Sequence, residues 1–220
     1  MFKGHAFVGL DEQFNMLQTL LLQMQERNLL LLDMLEQELT QVEKRYAQAK
    51  AFDKEINALE HQVDHVASSI LSKFTVLGTE LRFILSVFKM AYILECIADN
   101  LKNCIKRLSK LKSTVPPELG QAIRAIAQGT QAPLKECLSL MEHFDEVRFQ
   151  QLVDQKKDVS QLYRQALLVL QQLPASSFSS DDVTELHFII RNVERISDLI
   201  SDSAKLGYFI HTGEKYEKPV

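Results

Sequence analysis

Long stretches of this chain contain no glycine or proline, while apolar residues recur every three or four positions. Only seven Gly and five Pro occur among the 220 residues. Apolar residues at this spacing line one face of an α-helix, and the scarcity of helix breakers allows such helices to be long. The pattern therefore predicts an all-α protein built from long amphipathic helices.

The few breakers divide the chain into six predicted helices. Thr79 is expected to cap the third helix, and Ser180 or Asp181 the sixth, since their side chains can accept hydrogen bonds from free backbone N–H groups. Pro116 and Pro117 suit the start of the fourth helix, and Pro133 is the expected position of a kink. The predicted helices span about Leu10–Ala47, Phe52–Phe74, Thr79–Leu111, Pro116 to the residues before Glu146, Glu146–Leu173 and Asp181–His211.

Pairs of polar, mostly acidic residues four positions apart occur twice along the chain. The pair in the second predicted helix recurs 101 residues later in the fifth, and the pair in the third recurs 99 residues later in the sixth. Such a repeat indicates an internal duplication of a three-helix unit. We therefore predict two tandem three-helix bundles, at residues 1–113 and 114–220. The four pairs are Asp53/Asn57, Glu95/Asp99, Asp154/Asp158 and Glu194/Asp198.

The acidic pairs are expected at the edge of each helix's apolar face, near the surface. Residues four apart point in the same direction from a helix, so both carboxylates of a pair can face one ion. Carboxylates so close repel one another unless cations or protons neutralise them. Hard oxygen ligands suit Mg²⁺, Ca²⁺, Mn²⁺ or iron. Two interpretations remain open, a metal site and a salt-bridged or solvated surface.

Charge and cysteine content exclude several classes of protein. The net charge is −4, and no long basic tract is present, so nothing favours nucleic-acid binding. Cys96, Cys104 and Cys137 are an odd number without a CxxC motif, which indicates reduced thiols and a cytoplasmic protein. We expect all three to be small buried hydrophobic residues.

No membrane segment is predicted. The most apolar stretch, Phe83–Ala98, is interrupted by Lys89 and Glu95. It is also shorter than the roughly 20 residues that a membrane-spanning helix requires. Residues 1–5 (MFKGH) do not resemble the start of a signal peptide.

The run of four leucines at residues 29–32 is compatible with a homodimer interface, although burial within the bundle explains it equally well.

Short segments carry a family resemblance, in the same order and twice over. They are residues 53–60 (DKEINALE), 78–82 (GTELR), 94–103 (LECIADNLKN), 153–158 (VDQKKD), 193–198 (VERISD) and 208–214 (YFIHTGE). These segments resemble the PhoU family of phosphate-uptake regulators, over nearly the whole chain. The resemblance implies two three-helix bundles side by side. It also implies a protein at the cytoplasmic face of a phosphate transporter, whose partners are the transporter ATPase and a sensor kinase.

The resemblance also implies multinuclear metal clusters, most often of iron or zinc, held by Glu/Asp-xxx-Asp motifs. Two residues depart from the family's pattern: Ala98 and Ser197 stand where the family has glycine. A side chain at these positions is expected to crowd a helix contact or the metal cluster. Gln161 stands where an acid like Glu60 would be expected, so the second cluster is expected to hold fewer metal ions. The matching residues are Asp53, Asn57, Glu60, Glu95, Asp99 and Asn103 for the first cluster, and Asp154, Asp158, Glu194, Asp198 and Asp202 for the second.

Three functions compete on the sequence. The first is a non-enzymatic regulator or accessory protein of phosphate uptake and phosphate-starvation signalling, or of another transporter. The second is a di-iron carboxylate enzyme, which would need Glu-x-x-His ligands facing inward; His61 and His65 do not form such a pair with a core-facing Glu. The third is a metal-free helical scaffold. No set of catalytic residues stands out, so we expect no enzymatic activity.

Overall fold

The computed structural model describes residues 8–39, 45–174 and 178–217, and every regular element in these ranges is an α-helix. The predicted all-α fold class and the count of six helices are therefore confirmed for this part of the chain. The helices are α1 (Val8–Glu38), α2 (Tyr46–Lys73), α3 (Gly78–Leu108), α4 (Pro117–Glu142), α5 (Glu146–Gln171) and α6 (Ser180–Thr212).

The first helix is shorter than the sequence predicts. It ends at Glu38, and Tyr46 and Ala47 already belong to α2, so the predicted end at Ala47 was wrong. No glycine or proline lies between the two helices, and residues 40–44 lie outside the described residues. Good helix-forming residues continue through this region, so local propensity gives no signal for the end. The packing of α2 against α1 and α3 decides it instead.

Two predicted helix caps are displaced by a residue or two. Gly78, with φ of +57°, is the first residue of α3, and Thr79 lies inside the first turn. Its hydroxyl accepts a hydrogen bond from Nη2 of Arg82 at 2.9 Å instead of capping the helix. The cap of α6 is Ser179, whose hydroxyl accepts from the backbone N–H of Asp182 at 3.0 Å. The predicted caps, Ser180 and Asp181, are instead the first two residues of α6.

Pro133 lies inside α4, which continues on both sides of it. A proline in a helix leaves the carbonyl four residues earlier without its usual N–H partner. That carbonyl belongs to Gly129, and the side-chain amide of Gln155 on α5 approaches it at 3.5 Å. The neighbouring helix thus satisfies in part the acceptor that the proline exposes.

Consecutive helices run antiparallel and form two three-helix bundles, α1–α3 and α4–α6. The pairs Arg27–Glu55 and Glu136–Arg148 mark this arrangement for α1–α2 and α4–α5. The bundles share one large hydrophobic core, because α3 packs extensively against α6 and α1 also contacts α4. The boundary predicted at residues 113/114 lies in the connection between α3 and α4, and it stays a prediction.

Polar side chains also connect the two bundles. The amide of Gln25 on α1 donates a hydrogen bond to the carbonyl of Leu134 on α4 at 2.6 Å. Nε of Arg82 at the start of α3 donates to the carbonyl of Ile210 near the end of α6 at 2.8 Å. The chain after α6 turns away at Gly213, which has φ of +82°. The first bond joins α1 to α4 and the second joins α3 to α6, so each connects one bundle to the other.

Gly207 allows α6 to approach α4 closely. A Cβ at this position would lie 2.7 Å from the carbonyl oxygen of Leu140, a distance that side chains do not tolerate against backbone.

Cys104 and Cys137 are buried between helices, as predicted, whereas Cys96 is only half-buried. Burial raises the pKa of Cys104 and of Cys137 to about 12, so both thiols stay protonated at neutral pH.

Asp182, at the start of α6, is hydrogen-bonded to the connection between α3 and α4. Its carboxylate accepts from the backbone N–H of Lys112 at 3.1 Å and from the hydroxyl of Ser113 at 2.9 Å. These bonds lower the pKa of Asp182, with the Lys112 N–H as the largest cause.

Among the described residues, none of the helices combines the length and the apolar character that crossing a membrane requires.

Candidate functional site

The first acidic flank is the set of predicted ligands on α2 and α3. The two helices are antiparallel neighbours, and the flank lies beside their contact. Asp53 is buried, which differs from the predicted position near the surface, and the other five are half-buried. The structure therefore brings the predicted ligands of the first repeat to one side of the α2–α3 pair. The set comprises Asp53, Asn57, Glu60, Glu95, Asp99 and Asn103.

Lys102 occupies the centre of this flank. Its ammonium nitrogen lies 3.0 Å from Oδ1 of Asp53 and 2.7 Å from Oδ1 of Asp99. The amide of Asn103 donates a hydrogen bond to the other oxygen of Asp99 at 3.0 Å. Burial alone would lower the pKa of Lys102, but the bonds to both aspartates outweigh it and raise the pKa. Spacing along α3 is enough to predict the pair with Asp99, but not the pair with Asp53, which lies on another helix.

Neither Glu60 nor Glu95 has an ion pair among the described residues, and their compensation is only partial: His61 acts on Glu60, and a hydrogen bond from Cys96 and the charge of Lys102 act on Glu95. Burial raises the pKa of both carboxyl groups, and nearby negative charge raises it further. Glu95 and Asp64 act on Glu60, while Asp99 and Asp53 act on Glu95. The carboxylates of α2 and α3 are therefore close enough to repel one another, as the sequence predicts. A cation placed between Glu60 and Glu95 would relieve this repulsion.

Asn57 offers a further oxygen at the same place. Its side-chain carbonyl oxygen is buried and has no hydrogen-bond partner in the described part of the chain. A buried polar atom without a partner costs free energy, on the order of 1–3 kcal/mol. An amide oxygen together with carboxylates forms a donor set that suits a hard cation. The chemistry of the first flank thus fits a metal ion.

The second acidic flank is the corresponding set on α5 and α6. Glu194 and Asp198 are half-buried, whereas the other three residues are exposed. Burial, followed by the charge of Asp198, raises the pKa of Glu194. The structure brings Glu194 and Asp198 together but leaves the two acids of α5 on its solvent side. The set comprises Asp154, Asp158, Glu194, Asp198 and Asp202.

Lysines pair with three aspartates of the second flank. Lys157 lies 2.9 Å from Asp154, and Lys205 lies 2.7 Å from Asp202, each three residues along the same helix. Lys156 of α5 crosses to α6, where its ammonium lies 2.7 Å from Asp198. Each of these carboxylates therefore has its own cation. As it stands, the donor set of the second flank does not fit a metal ion.

The two flanks differ in the residue that the second helix of each bundle presents to the third helix, that is, α2 to α3 and α5 to α6. In the first bundle α2 presents Asp53 to the turn of α3 that carries Asp99, and Lys102 binds both. In the second bundle α5 presents Lys156 to the equivalent residue, Asp198. The repeat in the sequence had matched Asp53 to Asp154. The apolar residues that α5 buries fix its rotation and place Asp154 outward, with 58% of its side chain exposed.

Three other predictions can be compared with the structure. Ala98 and Ser197, which replace glycine in the family's pattern, are both buried in helix contacts. His61 and His65 are exposed, which does not support inward-facing di-iron ligands. Within residues 8–39, 45–174 and 178–217, no three side chains of His, Cys, Asp or Glu converge closely enough to hold one metal ion. A metal ion at the first flank would therefore require small side-chain movements, including that of Lys102.

The family model for the PhoU domain matches this chain twice, at residues 15–108 and 123–206. The chain therefore belongs to the PhoU family. The two matches correspond to the two bundles, one for each repeat.

Named relatives and solved structures agree with this. A phosphate-specific transport system accessory protein PhoU homolog from Zymomonas mobilis is 27% identical over 214 residues, which cover 96% of this chain and 90% of the relative. A homolog with the same name from Rhizobium meliloti is 24% identical over 73% of this chain and 69% of its own length. The crystal structure of PhoU from Pseudomonas aeruginosa shares the fold with a TM-score of 0.84, at 22% identity, over 93% of this chain and 99% of that one.

Proposed function

We propose that this chain is a non-enzymatic regulator of phosphate uptake and phosphate-starvation signalling. The observation that carries the proposal is the match of the PhoU family model to both bundles. Relatives from Zymomonas mobilis and Rhizobium meliloti carry the name of accessory proteins of a phosphate-specific transport system. Accessory proteins of this kind act through binding, and no residue of either flank requires a catalytic role.

In this proposal the protein works in the cytoplasm and reaches the membrane only through its partners. These are the ATPase of a phosphate transporter and a sensor kinase. A rigid pair of bundles suits this role, because α3 and α6 hold both flanks in a fixed relation. The runner-up is an accessory role at another transporter, which would use the same surfaces with a different ATPase.

Association with partners tests the proposal directly. The full chain, purified with its metal content retained, is immobilised and exposed separately to the phosphate transporter ATPase and the sensor kinase of the same cell. Saturable binding to at least one of them is expected. An ATPase from an unrelated transporter serves as the control for specificity. Binding to neither partner contradicts the proposal, and stronger binding to the unrelated ATPase favours the runner-up.

We further propose that the first acidic flank binds metal ions. Asn57, Glu60 and Glu95 supply the oxygens that lack full compensation, with Asp53, Asp99 and Asn103 beside them. The family resemblance favours iron or zinc, while the oxygen ligands also suit Mg²⁺, Mn²⁺ or Ca²⁺. A bound cation would neutralise the facing carboxylates and hold α2 against α3. A second metal site at Asp154, Asp158, Glu194, Asp198 and Asp202 stays a prediction from the resemblance, and the lysine pairs there argue against it.

A metal-free scaffold is the second candidate for the flank, and one contact favours it. Lys102 already places a positive charge between Asp53 and Asp99. A cation from the protein itself can replace a metal ion in neutralising two carboxylates. The flank would then be a salt-bridged surface that stabilises the bundle.

Elemental analysis separates the two candidates. The protein is purified without chelators and without a metal-affinity tag, and the metal content per chain is measured for the wild type and for Asp99→Ala and Asp198→Ala. The metal proposal expects about one or more ions per chain in the wild type and a clear loss in Asp99→Ala. Asp181→Ala, an exposed acid on α6 outside both flanks, is the matched control. Trace metal in all four proteins supports the scaffold.

A further inference from the structure

A cavity of about 500 Å³ lies between α5 and α6. Its charged lining is entirely positive, since Lys156, Lys157 and Arg164 come from α5 and Lys205 comes from α6, and no Asp or Glu lines it. The volume falls within the roughly 300–1,000 Å³ that is usual for small-molecule sites. This cavity is distinct from the first acidic flank, which lies on the other bundle.

The cations of this cavity keep hydrogen-bond donors for a ligand. An ammonium group has three N–H donors, so a lysine bonded to one carboxylate retains two. Lys156, Lys157 and Lys205 each have an aspartate partner, which balances three of the four charges. Arg164 is exposed and makes no ion pair or hydrogen bond with any described residue, so its five donors are available. Arg164 therefore brings to the cavity a positive charge without an ion pair among the described residues, and the lysines beside it keep N–H donors.

Hydroxyl groups complete the polar lining. Ser201 is 4% exposed and Ser160 is half-buried, and both line the cavity. Ser201 lies 99 residues after Lys102 and is therefore its counterpart in the second repeat. Ser201 lines the cavity, whereas Lys102 in the first bundle binds Asp53 and Asp99. Val153 and Tyr216 add an apolar wall at one side.

Lysine, arginine and hydroxyl groups around one cavity are suited to an oxyanion. Arginine binds phosphate through paired N–H donors, and lysine binds it as a point charge. The same groups cannot coordinate a metal ion, because the cationic side chains have no free lone pair at neutral pH. The second bundle thus presents the opposite chemistry to the first, where an amide oxygen and carboxylates lack full compensation.

We propose that the cavity between α5 and α6 binds a phosphate group, either as free phosphate or as part of a small phosphorylated molecule. Arg164 is the principal ligand, and Lys156, Lys157 and Lys205 supply further charge. Ser201 orients the phosphate oxygens, and the apolar wall accommodates the rest of a larger ligand. The inference goes beyond the regulatory role and does not rest on it, because the binding is a property of the isolated chain.

Calorimetric titration of the full chain tests the proposal. Inorganic phosphate, pyrophosphate and ADP are titrated separately at about 0.15 M salt, where weak surface attraction is largely screened. We expect saturable binding of at least one probe with one site per chain. Tightest binding of ADP identifies a phosphorylated molecule as the ligand, whereas equal binding of inorganic phosphate identifies the free ion.

Variants assign the binding to the cavity. Arg164→Gln is expected to weaken binding by about tenfold, the loss of one charge-assisted contact, and Arg164→Lys by less. Arg164 is exposed, so neither variant should alter the helical circular dichroism spectrum. Arg124→Gln on α4 removes the same charge outside the cavity and is expected to change affinity by less than about twofold. The proposal is wrong if no probe binds, if Arg164→Gln binds as the wild type does, or if Asp99→Ala alone abolishes binding.

Discussion

The ammonium nitrogen of Lys102 lies 3.0 Å from Oδ1 of Asp53, and this ion pair joins α3 to α2 across the first acidic flank. Asp53 is buried, so water can compensate little of its charge and Lys102 supplies the opposite charge. The same ammonium also binds Asp99, so a single lysine neutralises two acids from two helices. The stability of this flank therefore depends on Lys102, which is also the cation that a metal ion would replace in the metal proposal.

Replacement of Lys102 by glutamine should destabilise the protein. Asp53 would lose its partner while it remains buried, and a buried charge without compensation costs about 1–3 kcal/mol. The free energy of unfolding, measured by urea denaturation, should fall by this amount. Lys205→Gln is the matched control, because Lys205 also binds an aspartate three residues before it but joins no second helix. Its effect should stay below about 0.5 kcal/mol.

The same variant distinguishes the metal proposal from the scaffold. If the flank binds a metal ion, zinc or manganese added to Lys102→Gln should restore the lost stability, because the cation takes the place of the ammonium. The thermal midpoint is measured with and without the metal. A midpoint that does not rise in Lys102→Gln would contradict a metal site at this flank.

Glu95 gives the first flank a defined pH dependence. Its pKa is raised in the folded protein, mainly by burial, so the folded state binds protons that the unfolded state has already released. The contribution of Glu95 to stability is therefore fully present below its unfolded pKa and is lost as pH rises through the raised pKa of the folded state. Glu95→Gln, which cannot ionise, should be more stable than the wild type at pH 7, and this gain should shrink towards pH 4.

Chelator-treated protein is required for this comparison, because a bound cation would also neutralise Glu95. Urea denaturation of both proteins at pH 4, 5.5 and 7 gives the difference in the free energy of unfolding. Glu26→Gln, an exposed position on α1, should show no such trend. An equal gain for Glu95→Gln at all three values of pH would refute the assigned repulsion.

Gly207→Ala should force α4 and α6 apart. The added Cβ would lie 2.7 Å from the carbonyl oxygen of Leu140, and backbone cannot yield as a flexible side chain can. The crowding should outweigh the better helix propensity of alanine and destabilise the protein by about 1–2 kcal/mol. Gly129→Ala on α4 is the control, since its Cβ would meet only Val159 at 3.9 Å. We expect the control to be neutral or slightly stabilising in thermal denaturation.

Asp182→Ala should loosen the connection between the two bundles. The backbone N–H of Lys112 and the hydroxyl of Ser113 would lose their acceptor, at a cost of about 1–2 kcal/mol. Because the pKa of Asp182 is lowered, its contribution is present above the unfolded value and is lost as pH falls through the folded pKa. The destabilisation should therefore be full at pH 7 and vanish in strong acid.

The neighbouring Asp181 provides the control for this variant. Asp181 is exposed in the same turn of α6, so Asp181→Ala should cost little at any pH. Urea denaturation at pH 7 and pH 3 measures both variants. A loss for Asp181→Ala as large as that for Asp182→Ala would show a general helix-end effect instead of the specific bonds.

The sequence by itself determined the helices and the core. Leu17, Ile56 and Val63 lie at helical spacing, and all three are fully buried. The prediction of helices and core residues succeeds because an amphipathic pattern is local in the sequence, and because burial of apolar surface is the main driving force of folding. The repeat of acidic pairs likewise predicted the two bundles, and the residues of the first flank lie on α2 and α3.

Only the tertiary structure decided which charges meet. The pairs Lys102–Asp53 and Lys156–Asp198 carried no signal in the sequence, because their members lie on different helices, 49 and 42 residues apart. A small rotation of a helix about its axis exchanges one facing side chain for the next, and packing of the whole core sets that rotation. Packing thus left Asp154 exposed and brought Lys156 to Asp198 on α6, so lysines pair with the acids of the second flank where the sequence had predicted a twin of the first.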